Sequence, residues 1–307
     1  MSNSMVDSAM DTNDGWGDRE RAEWLAQQLV QRSYAVDVIE KITPLGATFL
    51  VQQYGTLLYE VGEYPLFIVR TRDWNESKAT VLITGGVHGY ETSGVHGAIR
   101  FLETEASAYS EHFNFVVAPC VSPWGYETIN RWNPAAVDPN RSFVVDSPAQ
   151  EAAALMKAVA ALNVDILAHF DLHETTDTDE SVFGPALAAR DGKAFAACDI
   201  PDGFYAVGDT ENSADDFQQA IISAVRKVTH IAPPDLKGDI IGEPITQEGV
   251  INYAIKELGL CAGFSNCEFA TTTEVYPDSP KVNDEDCIIA QVAAVKGGLE
   301  YLIKKVG

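Results

Sequence analysis

From Asp18 onward, Trp24, Leu25, Leu29 and Val30 recur at helical spacing and predict a helix to about Arg32. Three β-rich runs follow at 34–42, 48–60 and 64–72, bounded by Pro44, Gly46, Gly62 and a polar turn at 73–77. They predict neighbouring antiparallel strands. The rhythm then changes. Residues 79–84 form a largely apolar run that ends in Gly85-Gly86, as a strand buried on both faces requires. A helix over 92–105, a second buried strand over 113–118 and a long loop over 121–146 come next. After the loop the pattern predicts a helix over 147–162, with Ser147 as its cap and Gln150 three residues on, then a strand over 164–171.

The second half repeats this alternation: a helix over 213–227, a short strand over 239–245, a helix over 247–258 stopped by Gly259, a strand over 267–275 and a closing helix over 284–305. Strands alternating with helices predict an α/β protein with one sheet covered on both faces and antiparallel strands at one edge. No internal repeat or Gly/Ser-rich linker divides the chain. The expected organisation is a disordered acidic leader over 1–16 and a single domain over 17–307. A loop as long as 121–146 without regular structure points to function.

Charge narrows the field. The chain carries a net charge of −24, which disfavours nucleic acid and anionic membrane surfaces as partners. Five scattered cysteines without a CxxC pair argue against a disulfide framework or a thiolate zinc site. The N-terminus has no basic region followed by an apolar one, and no apolar run approaches the ~20 residues of a membrane span. A cytoplasmic location is the expectation.

The chemistry gathers at strand ends. His88 and Glu91 form His-x-x-Glu directly after the Gly85-Gly86 turn, at the carboxyl end of a buried strand, where open α/β sheets bind ligands. Imidazole and carboxylate are both good zinc ligands, and catalytic zinc takes three protein ligands and a water. On this motif alone, a strand-end histidine beside a capping glutamate is an equal reading. A third ligand belongs at another strand end, and His169, Asp171 and His173 share one face of the 164–171 strand and its extension. His173 is best placed to reach outward, whereas Asp171 and His169 suit orienting or core roles. His96 also reads as a core histidine, and His112 and His230 as solvated. For a general base the last strand offers Glu274 at its carboxyl end and Glu268 at the other, with Glu174 and Glu180 competing. Arg131 and the pair Asn140-Arg141 stand in the long loop, and arginine's planar fork matches a carboxylate. Simple pairing with surface acids is the competing reading, and it is the one expected for Arg100, Arg190 and Arg226.

Together these segments resemble the zinc metallocarboxypeptidases of the carboxypeptidase A and B type. The resemblance rests on His88-Gly89-Tyr90-Glu91, Ser122-Pro123-Trp124-Gly125-Tyr126, the segment from Val137 to Phe143, Asp171-Leu172-His173-Glu174 and Thr272-Thr273-Glu274, and spans roughly 78–305. It implies a mixed eight-stranded sheet flanked by helices on both faces. It also implies a zinc ion held by His88, Glu91 and His173, with Glu274 as base and Glu268 in reserve. Arg131 would polarise the scissile carbonyl, and Asn140 and Arg141 would hold the terminal carboxylate of a peptide. Ser122, Pro139 and Ser142 depart from the family pattern, and the short interval from His88 to His173 implies trimmed loops. Tyr205 and Tyr253 both compete for the family's capping tyrosine. The Asp-Leu-His set is similar to that of aspartoacylases and succinylglutamate desuccinylases as well, which makes an acyl-amino acid the alternative substrate. The lack of a trailing β-domain leans against that reading, and Glu274 argues against a noncatalytic carboxylate binder.

Overall fold

The computed structural model describes residues 15–197 and 199–306. Over them the apolar runs become strands β1 (Phe49–Tyr59), β2 (Gly62–Thr71), β3 (Ala79–Gly85), β4 (Phe113–Ala118), β5 (Ile166–Glu174), β6 (Tyr205–Asp209), β7 (Asp239–Ile240), β8 (Glu243–Pro244), β9 (Val250–Tyr253) and β10 (Phe269–Val275). The helices are α1 (Asp18–Leu25), α2 (Glu40–Ile42), α3 (Thr92–Thr104), α4 (Ala106–Tyr109), α5 (Pro123–Thr128), α6 (Gln150–Ala160), α7 (Gly184–Arg190), α8 (Asp215–Val225), α9 (Cys261–Phe264) and α10 (Asp284–Val306).

Eight of these strands make one mixed sheet of order β1-β2-β4-β3-β5-β10-β6-β9, and β7 with β8 forms a small hairpin apart from it. The central strands β4, β3, β5 and β10 run parallel, while β1 and β2 add the expected antiparallel edge. The central strands are buried almost from end to end, and β3 and β4 are largely apolar, because helices cover both faces. On one side α3, α8 and α10 bury Val95, Ile99, Phe217, Ile221, Val295 and Leu299 against Val81, Ile83 and Phe170. On the other, α6 buries Ala152, Leu155 and Val159 against Leu82, Val116 and Ile166. Among the described residues no helix is long and apolar enough to cross a membrane.

Four local expectations are corrected. The run at 34–42 is helical, through a π turn (Ala35–Ile39) and α2. Its buried residues Tyr34, Val38 and Ile42 recur every four positions, and that period outweighs their β-branched neighbours. The first helix stops at Leu25, which leaves Leu29 and Val30 exposed. Residues 247–258 are not a helix: Gly249, at φ +67°, turns the chain into β9. Helix α6 begins at Gln150, and the Ser147 hydroxyl accepts from Ala149 N just ahead of it. Residues 1–14 of the expected leader lie outside the described residues. Trp16, at its end, packs edge-on against Trp132 with ring centroids 5.7 Å apart.

Candidate metal centre and active site

Parallel pairing sets the carboxyl ends of β3, β5 and β10 side by side, with Thr84 opposite Asp171 and Glu274 opposite His173. Beyond β3 the chain must turn sharply. Gly86 takes φ +60°, and at Gly89 a Cβ would stand 2.0 Å from the Tyr126 amide nitrogen, so only glycine permits this approach of the loop to α5. The turn brings His88 and Glu91 back over the strand ends to meet His173. Nδ1 of His88 lies 2.7 Å from Glu91 Oε1, and Nδ1 of His173 lies 2.8 Å from Glu91 Oε2. All three residues are buried, and their ligand atoms lie within 4.8 Å of one another.

Both imidazoles are held from behind. His88 Nε2 is 2.9 Å from Asp138 Oδ1, and His173 Nε2 is 2.9 Å from Asp171 Oδ2. An ionised carboxylate only accepts, so Nε2 is the donor in each of these contacts, which leaves Nδ1 as the nitrogen of each ring that faces Glu91 and could give its lone pair to a metal. Burial opposes charge on His173, but the Asp171 and Glu91 carboxylates prevail and raise its pKa well above the usual histidine value. Burial likewise opposes charge on Glu91, yet His173 and His88 bring its pKa down to about 2. Glu91 Oε2 has no partner of hydrogen-bonding geometry. Three donors around a point that demands positive charge, one of them an orphaned buried oxygen, fit a divalent cation. Two nitrogens and a carboxylate are a zinc donor set.

His169 lies in the core, as expected, where burial pushes its pKa down to about 4. The Thr84 hydroxyl gives its one proton to Asp171 Oδ1 at 2.6 Å and accepts from His169 Nε2 at 2.9 Å and the Cys261 thiol at 3.6 Å. His169, Asp171 and Cys261 also converge closely enough to hold a metal. The Thr84 hydroxyl satisfies that group without one.

The carboxylates sort by position. Glu274 stands beside His173, and its Oε2 accepts from the Thr175 hydroxyl at 2.9 Å. That hydroxyl in turn accepts from Tyr205 at 2.7 Å. Burial raises the Glu274 pKa to about 8, in the range of a working base. Glu268 is exposed just ahead of β10, at the end of the sheet opposite His88, Glu91 and His173. The Glu174 oxygens accept from the Ser93 and Thr92 amides at 2.6 and 3.1 Å, so this residue ties down the start of α3. Glu180 lies in the turn after Thr178, outside the metal cluster. Of the two tyrosines, Tyr205 is buried, and Tyr253 is half-buried at the end of β9, within electrostatic range of Arg141.

The long loop delivers the remaining groups, and it contains α5 and a 3-10 turn (Pro139–Arg141). Arg131 donates from Nε to Asp138 Oδ2 and from Nη1 to Asp179 Oδ1, both at 3.1 Å. Asp138 thus joins the Arg131 guanidinium to the His88 ring, and its Oδ1 also accepts the Asn140 amide at 2.9 Å. Asn140 is buried, with its side-chain oxygen on the Cys261 amide at 2.8 Å. Arg141 is exposed, donates to the Asn140 carbonyl at 2.8 Å and has no carboxylate within ion-pair distance among the described residues. Sequence reasoning quoted Asp138 and Tyr90 only as parts of motifs and missed Asp179 and Arg32. The Tyr90 hydroxyl donates to Asp179 Oδ1 at 2.7 Å, a contact no local pattern announces.

Residues 59–165 match the family model described as zinc carboxypeptidase. The fold is that of the zinc carboxypeptidases. A Shewanella amazonensis SB2B protein provisionally assigned as a metallopeptidase is 20% identical over 90% of this chain and 99% of its own, with a TM-score of 0.67. A metallo-carboxypeptidase from Burkholderia cenocepacia is 17% identical over 88% and 68%, with a TM-score of 0.58. One from Pseudomonas aeruginosa, in complex with (2-guanidinoethylmercapto)succinic acid, is 14% identical over the same shares, also at 0.58. No curated protein matches. At these identities the structural likeness is one of fold. The family match agrees with the resemblance read from the sequence, supports a zinc peptidase-type hydrolase and carries zinc with it as the implied metal. It includes His88 and Glu91 and stops short of His173 and Glu274.

Proposed function

We propose that the protein removes a C-terminal residue from peptides by hydrolysis, with His88, Glu91 and His173 holding a zinc ion. Zinc held there supplies Lewis-acid activation of water and of a carbonyl. Glu274 takes the proton of the attacking water and hands it to the leaving nitrogen, and Thr175 fixes the carboxylate for that transfer. Arg131 stabilises the negative charge that develops on the carbonyl oxygen. Asn140 and Arg141 take the substrate's terminal carboxylate, and Arg141, unpaired with any acid among the described residues, has its fork available for it. In a chain of net charge −24 an anionic substrate is repelled at long range, so recognition rests on this short-range pairing.

The observation that carries this reading is the register of β5 against β10, which sets Glu274 directly beside His173. A bare carboxylate binder needs no proton acceptor there. The deciding experiment gives the zinc-loaded protein blocked dipeptides and, separately, N-acetyl- and N-succinyl-amino acids. Release of the C-terminal residue from the dipeptides supports the proposal. Turnover of the acyl-amino acids alone transfers the same machinery to an amidohydrolase, and binding without turnover of either class overturns catalysis.

A further inference from the structure

Arg32 belongs to the segment between α1 and the helical run at 35–42, outside the stretch that matches the family model. Its guanidinium reaches into the loop between two of the proposed metal ligands. Nη2 donates to the Gly89 carbonyl at 3.0 Å and the Tyr90 carbonyl at 3.4 Å, and Nη1 to the Thr92 hydroxyl at 2.6 Å. Nε donates to the Tyr126 carbonyl on α5 at 2.9 Å, and the group lies over the Tyr126 ring, 4.1 Å from its centroid. Its backbone is anchored as well. The Gln31 and Arg32 amides donate to the Glu127 carbonyl at 2.7 and 3.2 Å, and the Tyr34 amide to Glu127 Oε1 at 3.0 Å. Among the described residues no carboxylate pairs with this guanidinium. Its hydrogen-bond partners among the described residues are carbonyl and hydroxyl oxygens.

We infer that Arg32 is a positioning residue for the metal centre: it locks the His88–Glu91 loop against α5 and so fixes the angle between the two ligands. Gly89 and Tyr90 are the only residues between His88 and Glu91, and Arg32 takes both their carbonyls. Without that clamp, these carbonyls turn to water and the loop gains conformations in which the two side chains no longer converge. The fork is essential to this. Oxygens on the loop, on the first turn of α3 and on α5 are spanned by a rigid plane of five donors, which the single ammonium of lysine cannot reproduce. A cation close to a metal site also repels the metal, so the sign of the effect discriminates. Clamping predicts weaker metal binding when Arg32 is removed, and simple repulsion predicts tighter binding.

The inference rests on the proposed metal site, and its test reads zinc binding. The full-length wild type, Arg32→Lys and Arg32→Ala are stripped with chelator. Zinc affinity is then measured by competition with a chromophoric chelator, beside circular dichroism of the metal-free proteins. Loss of outer contacts around a metal site typically weakens binding about 10- to 100-fold. We expect at least a 10-fold loss in both variants with the metal-free fold intact, and partial recovery in Arg32→Ala on adding millimolar guanidinium but not tetramethylammonium. Should Arg32→Ala fail to fold, Arg32→Lys decides, because it keeps the charge and loses the fork. Wild-type affinity in Arg32→Lys, or tighter binding in either variant, overturns the clamp. A wild type that takes up no zinc overturns the metal-site reading and this inference with it. Equal zinc affinity in all three proteins overturns this inference alone.

Discussion

Nε2 of His173 stands 2.9 Å from Oδ2 of Asp171, and that contact leaves Nδ1 as the face of the imidazole open to a metal. Asp171 is buried and is itself held by the Thr84 hydroxyl. Replacing it with Asn frees the tautomer and reduces the basicity of the ring. We expect Asp171→Asn to keep the fold and to weaken zinc binding by about 10- to 100-fold. Zinc competition titration measures this, and wild-type affinity would refute the orienting role.

Glu274 lies in β10 and Glu268 just ahead of it, and the two separate cleanly by position. Glu274→Gln should retain zinc and lose about 10²- to 10⁴-fold in kcat, the usual worth of a general base. Glu268→Gln, exposed at the other end of the sheet, should leave kcat and KM unchanged. Steady-state kinetics on whichever substrate is turned over, with zinc content measured alongside, tests the pair. A larger loss in Glu268→Gln would reverse the assignment.

The approach of the ligand loop to α5 admits no side chain at Gly89, where a Cβ would meet backbone atoms of Gly125 and Tyr126 at 2.0–2.6 Å. Backbone cannot yield as a side-chain tip does. Gly89→Ala should therefore displace the loop, abolish zinc uptake and lower Tm by several degrees. A Gly89→Ala protein with normal zinc content would show that the loop has slack.

Helix α3 carries a pH-sensitive group away from the metal cluster. His96 lies 3.2 Å from the Tyr126 hydroxyl, and burial, aided by Lys41, pushes its pKa from 6.5 down to about 4. Between those values the unfolded chain holds a proton that the folded one does not. Its contribution to stability is therefore full above about pH 6.5 and is lost as pH falls toward 4, on the order of 1–3 kcal/mol. Urea unfolding of the metal-free protein at pH 7 and pH 5 should show a smaller loss of stability in His96→Gln than in wild type. Equal losses would rule the residue out.

Glu151 has the opposite sign. Its oxygens accept from the Tyr59 hydroxyl and the Asn133 amide, and burial raises its pKa above the ordinary carboxyl value. The folded state therefore holds a proton that the unfolded state gives up above about pH 4.3, and stability falls as pH rises through the raised value. Glu151→Gln, uncharged and of the same shape, should raise Tm at pH 8 by a few degrees and leave it unchanged at pH 4. A lower Tm at pH 8 would show that the carboxylate is ionised in the folded protein.

Much of this was legible along the chain. The apolar runs at 79–84 and 113–118 identify strands because a strand buried on both faces must be apolar throughout. Gly85-Gly86 marks where the first one ends, which places His88 and Glu91. The run at 34–42 was misread because β-branched residues weigh toward a strand until burial reveals a period of four. The helix expected over 247–258 is absent because Gly249 at positive φ starts a strand that pairs with distant β6.

By itself, then, the sequence picked out the candidate residues and the strand ends at which they stand, since alternation and glycine punctuation are local properties. Only the tertiary structure decided how they combine. The register of β5 against β10 set Glu274, the carboxylate already favoured from the sequence, directly beside His173, because which residue lies next to which is fixed only when the strands pair. Packing of α5 and the 31–34 segment against the ligand loop brought Arg32 to the Gly89 and Tyr90 carbonyls, and the turn after β5 brought Asp179 to Arg131. Such contacts join residues scores of positions apart, and no periodicity records them.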